Sequence, residues 1–155
     1  MSKILAVIAT GMFVLVSTMA SAKTLTTYGQ ISKTLEAGGS VFLNIKPEKC
    51  KVTTSDGSKS VITKIGVKFH DLVEWVNHGN DGREMKALGN QETGLFGSSK
   101  FNWYRNLTAI YEDGTVITVS DHVDPVTFNL TAREKIICKL SADNSGGVTV
   151  TELRG

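Results

Sequence analysis

The apolar and polar positions divide this chain into one continuous apolar run, one short helical repeat and a series of two-residue alternations. Ile4 to Val16 is the apolar run, broken only by Thr10 and Gly11. Ile31 and Leu35 then fall on one face of a helix expected from Thr27 to Gly38, with Thr27 and Gln30 forming a capping box and Gly38 suited to the left-handed stop. Beyond Gly39 the period shortens to two. Val41, Leu43 and Ile45 alternate up to Pro47 and Cys50, and Val61 to Phe69 alternates through Val61, Thr63, Ile65, Val67 and Phe69. The piece from Phe69 to Val76 fits either period and is read as a second strand or a bulged continuation. Asn77 to Lys100 is the longest irregular stretch, carrying Gly79, Gly82, Gly89, Gly94 and Gly97, and is expected to be a functional or mobile loop. Phe101 to Tyr111 alternates again, Asp113-Gly114 signals a two-residue hairpin, and Val116 to Val119 returns. After Asp124-Pro125, Val126, Phe128 and Leu130 alternate, Ile136, Cys138 and Leu140 do the same, and Val148 to Leu153 is a β-branched last strand. The pattern predicts a mainly β domain of seven or eight strands with a short N-terminal helix, an antiparallel small barrel or sandwich.

Composition adds the compartment. Lys3, the apolar run and Ala20-Ser21-Ala22 have the layout of a secretory signal peptide over residues 1–22, leaving 23–155 as a single β-rich domain. The competing reading, a retained anchor, is opposed by a run shorter than the roughly 20 residues a spanning helix needs. No second long apolar stretch follows, so an integral membrane protein is not expected after cleavage. A formal charge of +2 with interspersed signs offers no basic footprint for nucleic acid. The localisation expected is therefore exported, periplasmic or secreted. In such a compartment the two cysteines, Cys50 and Cys138, predict one disulfide. Free thiols or a metal pair are the alternatives, but neither cysteine has a CxxC partner or a histidine at zinc-ligand spacing.

Chemistry is sparse. His70, His78 and His122 lie near Asp71, Asp81, Asp121 and Asp124, yet without HExxH or HxH spacing. Gly97-Ser98-Ser99 is not a nucleophile elbow, and no glycine pattern cradles a phosphate. Asp71, Glu74, Asp81, Glu84 and Asp121 are equally eligible as a carboxylate pair, so none is nominated. No catalytic residue, metal or cofactor is expected. The densest aromatic segment holds Phe101, Trp103, Tyr104 and Tyr111. Trp103, Tyr104 and Tyr111, with His78, are the candidate binding surface for a sugar or a protein; a β-core face with one or two surface rings is the competing reading.

The arrangement resembles the VirK family of small exported bacterial proteins. The resemblance rests on a leader, a helix opened by an aromatic residue (Tyr28, Ile31, Leu35), its ending Leu35-Glu36-Ala37-Gly38, and an apolar strand running to a cysteine (Val41 to Cys50). It continues through the aromatic strand and acidic-Gly hairpin from Trp103 to Gly114, and Ile136-Ile137-Cys138 before a Gly-rich turn and Val148. The stretch from His78 to Gly97 departs from the family pattern. The resemblance implies an exported, non-enzymatic accessory protein, associated with virulence or host interaction, that binds a protein or envelope component, and it carries over Cys50 and Cys138 as a structural pair. A periplasmic small-ligand carrier of β-barrel type is the alternative, its apolar interior gated by the stretch from Asn77 to Lys100.

Overall fold

The computed structural model describes residues 22–55, 57, 65–69, 73–78, 84–96 and 102–153. The expected signal peptide, apart from Ala22, falls outside them, as do His70, Asp71, Asp81, Gly97-Ser98-Ser99 and the His78 side chain. In chain order come β1 (Thr24–Leu25), α1 (Tyr28–Glu36), β2 (Ser40–Ile45), a 3-10 turn (Pro47–Lys49), β3 (Lys51–Thr54), β4 (Ile65–Phe69) and β5 (Glu74–His78). Then follow β6 (Glu84–Phe96), β7 (Asn102–Tyr111), β8 (Thr115–Val123), β9 (Leu130–Leu140) and β10 (Gly147–Leu153). The strands form one sheet, ordered β4-β2-β10-β9-β8-β7-β6-β5, with β1 added to β10 and β3 to β9. The sheet curls into a half-barrel, so the described residues are mainly β with one α-helix, as the alternation predicts.

The helix begins where its cap does. Thr27 Oγ1 accepts from Gln30 N, Gln30 Oε1 accepts from Thr26 N at 2.8 Å, and Gly38 closes it at φ 77°. Its buried Ile31 and Leu35 pack with Val41, Leu43 and Ile45 of β2, and burial stabilises by about 1.5–3 kcal/mol for each such side chain. Phe69, Leu88, Ile110, Val116, Ile136, Val148 and Val150 complete this core.

The Cys50–Cys138 disulfide lies where the sheet changes partners. Along one side, β9 pairs antiparallel with β3 from Glu134 to Ile137, then parallel with β10 at Lys139 and Leu140. Cys138 sits between the two pairings and bonds to Cys50, immediately before β3, with Cα atoms 4.7 Å apart. Gly147, at φ 90°, opens β10 against the same bond, and a methyl group there would overlap Cys50 Sγ. The parallel pair corrects the expectation of a purely antiparallel sheet. It arises because the short Ser141–Gly146 connection carries the chain around the end of β9 and brings β10 in along the side that β3 vacates.

Three further expectations change. The stretch from Asn77 to Lys100 is not one long loop: β5 takes its first two residues, and β6 fills Glu84 to Phe96 with partners on both sides. Val126 to Leu130 is not a strand. Asp124 Oδ1 accepts from the Val126 and Thr127 amides at 2.9 and 2.7 Å, Phe128 sits at φ 57°, and β9 starts only at Leu130. The hairpin between β7 and β8 has a three-residue loop, Glu112-Asp113-Gly114, with Gly114 at φ 78° and its amide donating to Tyr111 O at 2.9 Å.

Candidate binding site

The three-residue loop sets the register of the site. It pairs Arg105 with Asp121 across β7 and β8, while β9 pairs Arg133 with Asp121 from the other side. Three side chains on neighbouring strands thus share the outer face of the half-barrel, opposite the face that carries Ile110, Val116 and Ile136 into the core. Arg105 Nη2 donates to Asp121 Oδ2 at 2.5 Å; Arg133 Nε and Nη2 donate to Oδ1 and Oδ2 at 2.6 and 3.0 Å. The Asp121 side chain is 3% exposed, while those of Arg105 and Arg133 are 55% and 49% exposed. The Arg133 hydrogen bonds, with those of Arg105 behind them, hold the Asp121 carboxyl below the usual aspartate range against the opposing effect of burial. The bonds to Asp121 likewise raise the Arg133 guanidinium.

Beside this triad lies an exposed apolar group. Trp103, two residues before Arg105 on the same face of β7, meets Phe128 of the β8–β9 loop edge to face, at 5.9 Å between centroids and 69° between planes. Trp103 is 46% exposed, Phe128 66% and Leu130 50%. The turn chemistry at Asp124 holds Phe128 out of the core and over Trp103. Together these groups line an open cleft of about 370 Å³. Its volume falls in the range of sites that hold small molecules or peptide side chains.

Of the residues named as a possible surface, Trp103 and Tyr104 line this cleft. Tyr111 does not join them: it is buried with Ala87 and Ala109 at the other end of β7. The sequence reading passed over Arg105, Arg133 and the pairing role of Asp121. Register counting from the Asp113 turn could have found the first pair, but only with the correct loop length. A two-residue loop would have set Arg105 opposite His122.

The concave face holds a second, smaller recess of about 110 Å³. There Ser120 Oγ donates to Asn106 Oδ1 at 2.6 Å, Thr108 and Thr118 hydroxyls meet at 3.2 Å, and Asn90 Nδ2 donates to Lys68 O at 2.9 Å, tying β6 to β4. Among the described residues no three histidine, cysteine, aspartate or glutamate side chains cluster as metal ligands. No described helix is long and apolar enough to cross a membrane.

No protein-family model and no curated protein matches the chain. In fold it is similar to the crystal structure of a VirK family protein from Legionella pneumophila, with a TM-score of 0.58 and 14% identity over 82% of this chain and 97% of that one. The likeness supports the resemblance drawn from the helix ending and the two cysteine strands. The chain has the fold of a VirK family protein.

Proposed function

We propose that this chain is a VirK-like exported accessory protein, associated with virulence or host interaction, that acts by binding a protein partner rather than by catalysis. The observation that carries the reading is the outer cleft, where two arginines are fixed on a buried carboxylate beside an exposed tryptophan–phenylalanine pair. Tryptophan and arginine dominate the energetics of protein interfaces, and here both are oriented before any partner arrives. The disulfide is in keeping with an oxidising compartment, the periplasm or the exterior. The carrier alternative draws less support. The described concave face is filled at its apolar end, and the recess beside it is smaller than the roughly 300 Å³ of the smallest usual ligand pockets. Affinity purification from the native host, with native mass spectrometry of the product, tests the reading. Wild type is expected to retain a protein that Trp103→Ala loses. A small molecule bound in the concave recess, equally in both, would contradict it.

A further inference from the structure

The partner's chemistry can be read from the same cleft, on the strength of the binding role just proposed. We infer that the cleft takes an extended segment of a protein partner, one carrying a carboxylate with an apolar side chain two residues to either side. Asp121 engages Nη2 of Arg105 and the Nε and Nη2 of Arg133, which leaves the Nη1 groups of both for a ligand. One carboxylate against two guanidiniums leaves a surplus positive charge, and the next residue outward on this face of β9, Lys135, has the same sign and is exposed. Planar guanidiniums suit a carboxylate, which can accept two parallel bonds.

The apolar positions set the spacing. Along β7 the outer face reads Trp103, Arg105, Leu107, with Leu107 38% exposed. Same-face residues of a strand lie about 6.8 Å apart, the repeat an extended peptide also has. A carboxylate over Arg105 and Arg133 therefore places the residues two before and two after it over Trp103 with Phe128, and over Leu107 with Val119. A neutral sugar fits less well. Its hydroxyls need acceptors, and the Asp121 oxygens already receive three N–H bonds.

The test uses the full-length exported protein and the peptide fluorescein-Thr-Phe-Thr-Asp-Thr-Leu-Thr-amide, labelled at its N-terminus and read by anisotropy at low salt beside its Asp-to-Asn counterpart. The acidic peptide is expected to bind at least about tenfold more tightly than the neutral one. Arg105→Gln, which leaves the Arg133–Asp121 pair in place, removes most of that preference, whereas Lys51→Gln on β3 leaves it intact. Equal binding of the two peptides, a preference that survives Arg105→Gln, or no binding of either at millimolar concentration overturns the inference. In each case the binding role itself stands or falls separately, on whether the Trp103→Ala protein still retains its partner.

Discussion

Replacing Gly147 by alanine isolates the contact between β10 and the disulfide. Two costs are expected. A residue with a side chain at φ 90° gives up about 1–2 kcal/mol to the clash of Cβ with its own backbone. The new methyl also overlaps Cys50 Sγ, and relieving an overlap in packed surroundings costs about 1–3 kcal/mol more. The same chain holds the control: Gly114, at φ 78°, would bring its Cβ no closer than 3.9 Å to Leu140 Cβ. Gly114→Ala therefore carries the backbone cost alone, about 1–2 kcal/mol, and Gly147→Ala a total of about 2–5 kcal/mol. Equilibrium urea denaturation of the three oxidised proteins, at equal slope, reads the difference directly. If the two variants lose the same stability, within about 0.5 kcal/mol, the disulfide is not packed against the start of β10 and the three-strand junction is wrong.

Three other outcomes follow from the same geometry. Reducing the disulfide, which joins residues 88 apart, is expected to lower stability by about 4–5 kcal/mol on loop entropy, and a loss under about 1 kcal/mol in urea titrations with and without reductant would show that the covalent link adds little. Asp121→Asn should cost about 1–2 kcal/mol near neutral pH, the lower part of the range for charged hydrogen bonds because water screens the half-exposed arginines. Since the folded Asp121 carboxyl is lowered, its contribution is full above the ordinary aspartate pKa of about 3.9 and disappears as pH falls through the lower folded value, so wild-type and variant stabilities should converge only in acid; a gap that narrows instead toward alkaline pH would refute the assignment. Trp103→Ala should change stability by less than about 1 kcal/mol in a thermal melt, because the ring is 46% exposed, and a larger loss would mark Trp103 as a core residue rather than a binding one.

Local signals in the sequence carried the helix, the terminal strands and the disulfide. Thr27, Gln30 and Gly38 act within a few residues of one another, and two cysteines leave one intramolecular pairing. β6 was hidden because Gly89, Asn90, Gln91, Glu92, Gly94 and their neighbours have little β preference. What makes them a strand is their pairing with β7, which runs from Ala87 to Phe96, while β5 pairs only as far as Leu88. Val126 to Leu130 misled in the opposite direction. Its alternation is real, but Asp124 captures the following amides, so Phe128 points outward. The site was half visible for the same reason. Aromatic density marks Trp103 and Tyr104 locally, whereas the Arg105–Asp121–Arg133 cluster depends on register across two hairpins, which one residue of loop length decides.

Site-specific photocrosslinking from the cleft, performed in the native host, is the most direct measurement of the binding role. A benzophenone side chain at Leu130, which is 50% exposed beside Phe128, is expected to capture a protein, and capture should drop when Arg105 is changed to Gln. No product at Leu130 beyond that obtained from the same probe at Lys51 on β3 would contradict the account.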